Sequence, residues 1–313
     1  MGITGMTTTH IPDFVQIVDV AARDGLQNEK QVVPTAVKCS LIERLSDAGV
    51  KELETTSYVS PKWVPQMADN HEVMQRLVRH GGVKYSVLVP NMKGYEAAIL
   101  DAPDEIVVFG AASEAFSQKN INCSIAQSIE RFAPVVQAAK AKGIPVRGAM
   151  SCTVGCPYEG DVAPERVAYL AGLLKDIGVD RVDVADTIGV GTPRKIQKAI
   201  EATLQHFDID HISGHFHDTY GQALANVLAS LELGVWNFQT SVAGLGGCPY
   251  AKGATGNAAT EDVVFMLDGM GIETGIDLNA LVQVGHYISQ ELGRQTGSRV
   301  GRALLAKAES SPN

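Results

Sequence analysis

The sequence predicts a (β/α)8 barrel, and three observations carry that expectation. Short runs rich in β-branched and apolar residues alternate with helical stretches, roughly eight times in one unbroken series, the count such a barrel needs. The length of 313 residues suits one barrel with modest additions, and no Pro/Ser-rich linker divides it. Polar residues able to do chemistry recur at the C-terminal ends of the strand runs, the rim where these barrels place their sites. The competing arrangement is a doubly wound open sheet, which would carry a GxGxxG turn after its first strand. Here the first strand runs into "AARDGLQNE", with one glycine.

The units follow in order. "FVQIVDV" (Phe14–Val20) reads as the first strand. A helix is expected from about Thr35 to Ala48, with Val37, Leu41, Ile42, Leu45 and Ala48 at helical spacing. Pro34 opens it where a missing N–H costs nothing, and Gly49 ends it. "VKELETT" precedes a helix near Gln66–Val78, and "VKYSVLV" precedes Lys93–Leu100. "DEIVVFG" pairs with a long helix near Ser124–Lys142, "IPVRGAMS" with Pro164–Ile177, and "VDRVDVADT" with Thr192–His206. "HISGHFHD" is followed by Gln222–Leu233. "WNFQTSV" leads through a glycine-rich loop to Thr260–Met270. The expected barrel spans about residues 14–271 of a single catalytic domain, and an extra helical segment, about 277–305 with its helix at Leu278–Gly293, closes the chain.

Composition narrows the function. Hydrophobic residues make up 45% of the chain, enough for a full core. The net charge of −9, with no Lys/Arg-rich run, argues against nucleic acid as a partner. The longest apolar run, Ile106–Ala112, falls well short of the ~18 residues of a membrane helix. "MGITGMTTTHIPDF" has neither a basic n-region nor an Arg-rich leader, so a cytoplasmic, bacterial protein is expected. Five scattered cysteines, Cys39, Cys123, Cys152, Cys156 and Cys248, fit reduced thiols better than a disulfide framework. Cys152 and Cys156 lack CxxC spacing, which argues against zinc there.

Read at the strand ends, the rim offers Arg23 and Asp24, then Glu54, then Lys119 and Asn120 in the loop after the fourth strand. Arg147, Asp186, His215 with His217, and finally Cys248 and Asn257 complete it. In "GHFHD" side chains alternate, so His215 and His217 point the same way, about 7 Å apart. Such a pair either shares a metal or ends a solvated strand. Asp24 and Asn257 add oxygen donors, and a site of two His, one Asp and one Asn would accept Mg2+, Mn2+, Co2+ or Zn2+. Arg23 is either the partner of an enolate oxygen or half of a salt bridge with Asp24 or Glu54. Cys248 is either a proton donor or a small buried hydrophobe, and the glycines around it in "SVAGLGGCPYAKGATGN" leave little core to bury it in.

"RDGLQNEK", "ETTSYVSPKWVPQM", "FGAASEAFSQKNINCS", "SCTVGCPYEG", "DTIGVGTP", "HFHDTYGQALAN" and "SVAGLGGCPYAKGATGNAATED" together resemble the hydroxymethylglutaryl-CoA lyase family, from about Phe14 to Leu292. The wider superfamily of metal-dependent barrel lyases, aldolases and Claisen synthases shares only the Arg-Asp pair, the HxH and the terminal Gly-Asn. The resemblance implies cleavage of a 3-hydroxyacyl-CoA to acetyl-CoA and a ketone, acetoacetate in the parent reaction, in leucine degradation and ketone-body chemistry. It implies a divalent metal, Mg2+ or Mn2+ first, on Asp24, His215, His217 and Asn257. Proton removal falls to His215 or Asp186, enolate stabilisation to Arg23, and enolate protonation to Cys248. Glu54 and Glu261 support the site, Gly246 and Gly247 shape the loop, and Lys119 and Asn120 meet the CoA nucleotide. Gln27, Arg147, Ala149 and Thr187 fall to substrate binding. The expected partner is a small-molecule acyl-CoA, and a homodimer or higher homo-oligomer is the assembly to test. Departures from the family pattern are Ala149 where Tyr is usual and Gln239 where an acid is usual. The first strand also reads "VDVAARDG" in place of "VEVGPRDG", and no thiol stands near the C-terminus. Ala149 leaves space for an acyl group larger or less polar than that of the parent substrate.

Overall fold

A computed structural model describes residues 11–247 and 256–310. Its centre is a closed barrel of parallel strands: β1 (Gln16–Asp19), β2 (Glu52–Ser57), β3 (Lys84–Leu88), β4 (Glu105–Ala111), β5 (Val146–Ser151), and then, after a two-stranded hairpin of β6 (Gly155–Cys156) and β7 (Gly160–Asp161), β8 (Arg181–Asp186), β9 (Ile212–Phe216) and β10 (Asn237–Thr240). The order around the barrel is β1-β10-β9-β8-β5-β4-β3-β2, so β10 closes onto β1, with Gln16 opposite Asn237. Between the strands run α1 (Thr35–Asp47), α2 (Asn70–Arg76), α3 (Met92–Ala98), α4 (Glu114–Ile121), α5 (Ile125–Ala141), α6 (Pro164–Asp176), α7 (Pro193–Thr203) and α8 (Ala223–Leu231); α9 (Thr260–Gly269), α10 (Leu278–Glu291) and α11 (Arg299–Ser310) follow β10.

Local chemistry explains several boundaries. Pro34 stands at the N-cap of α1, which buries Leu41, Ile42 and Leu45. Gly49 then takes φ +105, where a side chain would be strained and would meet Gly275 O. Ser124 and Gln127 form a capping box at the start of α5. Two expectations change. Lys119 and Asn120 lie on the short helix α4, which Ser113 starts by accepting from Phe116 N, and not in a loop. The C-terminal segment holds a second helix, α11, whose start is pinned by Asp262 through Ser298 Oγ, Arg299 N and Val300 N. None of the described helices is long and apolar enough to cross a membrane.

Strand alternation sorts the residues into two cores. Outward positions such as Ile17, Leu53, Ile106, Val108, Val182, Val184, Ile212 and Phe238 join one apolar layer against the helices. Inward positions carry charge: Glu52, Glu54, Glu105, Arg147, Arg181 and Asp183. Arg181 pairs with Glu52 and Glu105, and Arg147 with Glu54, Glu105 and Asp183. A charge this deep is tolerated only when it is paired, and removing one partner of such a pair costs about 3–5 kcal/mol. The barrel is therefore filled by an ionic lattice where branched aliphatic residues are commoner.

Candidate active site

Directly after β1 the chain makes a π-helical turn, Ala21–Gly25, a distortion frequent at functional sites. It turns Arg23 and Asp24 onto the rim. Gly25 is required there, since a Cβ would lie 2.8 Å from Leu245 Cβ and 2.9 Å from Ser241 Oγ. Arg23 Nε donates to Glu54 Oε1, and its Nη1 donates to Asp24 Oδ1 at 2.7 Å. Burial opposes the charge of Arg23, but Glu54 and then Asp24 outweigh it and hold the guanidinium charged. Burial alone would raise the Asp24 carboxyl; Arg23, then His215 and His217, outweigh it and hold the group well below the usual carboxylate range.

At the end of β9, His215 and, one residue beyond the strand, His217 stack with ring centroids 5.7 Å apart and planes 19° from parallel. Gly214 precedes them because a side chain there would strike Phe216 and Phe238 in the outer core. Residues 256–258 lie along the end of β9: Asp218 N donates to Gly256 O, and Ala258 N to Phe216 O. This pairing sets Asn257 opposite His217. The Asn257 amide then links the others, with Oδ1 2.8 Å from His215 Nε2 and Nδ2 donating to Asp24 Oδ2 at 2.8 Å.

The donor set fits one divalent ion. Asp24 Oδ2 is 3.9 Å from His215 Nε2 and 4.0 Å from His217 Nε2. One ligand atom each from Asp24, His215 and His217 lies within 4.8 Å of the others. Neighbouring donors on an octahedral ion with bonds near 2.1 Å stand about 3.0 Å apart, so a single ion would draw these three side chains together by about 1 Å. Burial holds His217 down to about 4, which makes it the neutral imidazole that ligation needs.

The glycines of the loop that follows β10 have a geometric reason. A Cβ on Gly256 would sit 1.9 Å from Gly244 O, so the two ends of the loop cross in direct backbone contact. Gly246, at φ +114, leaves the space taken by Asn257 Nδ2, 2.7 Å from where its Cβ would be. Gly247 O accepts from Asn28 Nδ2 at 2.8 Å. Beneath the loop, Glu261 is fully buried and both its oxygens lie 3.0 Å from Ala243 N; burial pushes this carboxyl up to about 8. Cys248 lies outside the described residues.

Other expected site residues are placed differently. Arg147 does not reach the substrate mouth: at 1% exposure it lies inside the barrel, with Nε on Glu105, Nη1 on Asp183 and Nη2 on Glu54. Asp186 is bound by its own loop. Its carboxylate accepts from Val190 N at 3.1 Å and Gly191 N at 2.7 Å in the loop after β8, and burial raises it to about 6. Thr187 Oγ1 accepts from Cys152 N and ties the ends of β5 and β8. Ala149 is half-buried, two residues further along β5 than Arg147 and on the same face. Gln239 is buried, and its Nε2 donates to Ser213 Oγ at 3.1 Å. Gln27 is half-buried, and Lys119 and Asn120 are exposed on α4.

Asp19 escaped the sequence reading. It is buried at the end of β1 and accepts from Ala21 N, Val242 N and Thr260 Oγ1, so one carboxyl joins the π-turn to the root of the glycine loop. Glu105 and Asp183 also escaped it. The signal for Asp183 was present, as charges at alternate positions in "RVDVAD", but alternation is equally the mark of a strand with one wet face, and Glu105 in "DEIVVFG" had no such signal.

The family model described as HMGL-like matches residues 14–288. The chain is 54% identical to 3-hydroxy-3-isohexenylglutaryl-CoA/hydroxy-methylglutaryl-CoA lyase of Pseudomonas aeruginosa, over 96% of this chain and 100% of that protein. It is 53% identical to the mitochondrial hydroxymethylglutaryl-CoA lyase of Bos taurus, over 93% of this chain and 90% of that one. The solved structure of hydroxymethylglutaryl-CoA lyase from Pseudomonas aeruginosa superposes with a TM-score of 0.92 at 54% identity, covering 95% of this chain and 99% of that chain.

Proposed function

This chain belongs to the HMGL-like family, and from that premise we propose that it is a divalent-metal-dependent carbon–carbon lyase. Its substrate is 3-hydroxy-3-methylglutaryl-CoA, and its products are acetyl-CoA and acetoacetate. The observation that carries the proposal is the convergence of Asp24, His215, His217 and Asn257 on one point, with the Arg23 guanidinium hydrogen-bonded to Asp24 at its edge.

A divalent ion held by those four residues would supply a Lewis acid that lowers the pKa of the C3 hydroxyl and fixes the substrate's geometry. The remaining work falls to the chain. The hydroxyl loses its proton, the C3=O bond forms, the C2–C3 bond breaks, and its electron pair passes into the thioester enolate. Arg23, locked between Glu54 and Asp24, presents a permanent cation to the enolate oxygen. Of the two proton acceptors the resemblance suggests, His215 stands in the cluster, whereas the Asp186 carboxylate is taken by its own loop. Protonation of C2, assigned to Cys248, completes acetyl-CoA. The decisive experiment incubates the purified protein with 3-hydroxy-3-methylglutaryl-CoA and Mg2+ or Mn2+ and measures acetyl-CoA. Absence of product with either metal refutes the proposal.

A second substrate reading rests on Ala149. Its inward face puts no more than a methyl group at the end of β5, and the Pseudomonas aeruginosa relative is named for an isohexenyl substrate beside the methyl one. kcat/KM across C3 substituents, for wild type and Ala149→Tyr, separates the two. A wild type that strongly prefers the methyl substrate, with that preference unmoved by the tyrosine, ends the second reading.

A further inference from the structure

We infer that Arg147 is a positioning residue for Arg23, acting through the carboxylate of Glu54. The inference rests on the lyase reading above, which gives Arg23 its role. Glu54 is 1% exposed, and each of its oxygens is claimed by a different guanidinium. Oε1 accepts from Arg23 Nε, and Oε2 accepts from Arg147 Nη2 at 2.7 Å. The plane of this one carboxylate is therefore set jointly by a residue beside the metal cluster and a residue of β5.

Arg147 cannot turn. Its three nitrogens end on carboxylates of three different strands: Nη2 on Glu54 of β2, Nε on Glu105 of β4 at 3.1 Å, and Nη1 on Asp183 of β8. A planar fork with every arm engaged fixes its partners' orientation, which a single ammonium on a flexible stem does not. The chain of contacts runs on: Asp183 Oδ1 accepts from Ser213 Oγ at 2.5 Å, and Ser213 Oγ accepts from Gln239 Nε2 at 3.1 Å. Arg23 is thus referenced, through Glu54, to strands across the barrel. Without Arg147 the Glu54 carboxylate is free to rotate and to bind Arg23 through two nitrogens. That would draw Nη1 away from Asp24 Oδ1, now 2.7 Å distant, and move the cation off the enolate oxygen. Metal binding, which Arg147 does not touch, would remain.

The test is a double-mutant cycle, because coupled residues are non-additive and independent ones are additive to within about twofold. Arg147→Lys should lower kcat by at least about tenfold, the equivalent of about 1.4 kcal/mol, with KM and Mn2+ affinity nearly unchanged. In an Arg23→Gln background the same change should cost less than about threefold. A substrate-free readout accompanies it: the Arg23 Nε–H NMR resonance, identified by its loss in Arg23→Gln, should shift in Arg147→Lys. Equal losses in the two backgrounds, or an unmoved Arg23 resonance, overturns the inference. Should Arg147→Lys fail to fold, the isosteric Asp183→Asn loosens the same fork through Nη1 and must give the same pattern. A wild type that cleaves no acyl-CoA would defeat the lyase reading alone, since the resonance still judges the link from Arg147 to Arg23.

Discussion

Gly246→Ala reaches the proposed metal centre without altering any proposed ligand, and its cost can be worked from the coordinates. Gly246 sits at φ +114, a backbone region that L-residues rarely adopt, so the methyl brings strain of about 1–3 kcal/mol. The new Cβ would also lie 2.7 Å from Asn257 Nδ2, where ordinary contact begins at 3.4 Å, so Asn257 or the loop must give way by 3.4 − 2.7, or 0.7 Å. That amide nitrogen holds Asp24 Oδ2 at 2.8 Å, and the amide oxygen faces His215 Nε2 at 2.8 Å; neither contact survives a retreat of that size intact. Disturbing groups that orient metal ligands costs about 10–100-fold in affinity. Gly244→Ala is the control. Its φ of +59 carries left-handed strain of about 1–2 kcal/mol, but its nearest neighbours stand 3.6 Å away. Mn2+ titration followed by calorimetry, with thermal unfolding in parallel, separates the two variants. Gly246→Ala should lose both metal affinity and stability, Gly244→Ala stability alone. Equal Mn2+ affinity in both would show that Asn257 is not held by the space Gly246 leaves.

Three further outcomes are expected. Arg23→Gln should keep Mn2+ affinity but lose about 2.7–4 kcal/mol of transition-state stabilisation, read as kcat/KM; wild-type turnover would remove Arg23 from the mechanism. His217→Ala should weaken Mn2+ binding and lower activity in step, and full wild-type activity in excess chelator would disprove the metal assignment. Glu261 holds its proton up to about pH 8 in the folded protein, against an ordinary value of 4.5. Between those values the folded state binds more protons than the unfolded one, so stability falls as pH rises through the window. Glu261→Gln, which mimics the protonated acid, should gain stability relative to wild type from pH 5 to pH 8 in urea unfolding, at no more than about 1.4 kcal/mol per pH unit; a flat difference would contradict the raised value.

What sequence alone determined here is whatever depends on neighbours along the chain. Pro34 and Gly49 bracket α1 because fixed φ and positive φ are properties of single residues. The alternation in "GHFHD" puts His215 and His217 on one side of β9 because the strand period is two. What tertiary structure decided is depth and partnership. The same parity that turns Arg147 and Ala149 inward does not say how far each lies below the rim; closure of the barrel decides that, and it puts Arg147 among Glu54, Glu105 and Asp183. Parity also leaves open whether an alternating charged strand faces water or other charges, and "ELE" and "RVDVAD" face each other. Asp186 looked like a site acid because it ends a strand, yet the backbone amides of Val190 and Gly191 capture it within five residues. Asn257 becomes a neighbour of Asp24, 233 residues away, only because β10 pairs with β1 and the loop that follows β10 folds back along β9. Closure of a sheet brings together residues whose separation in sequence carries no trace of their distance in space.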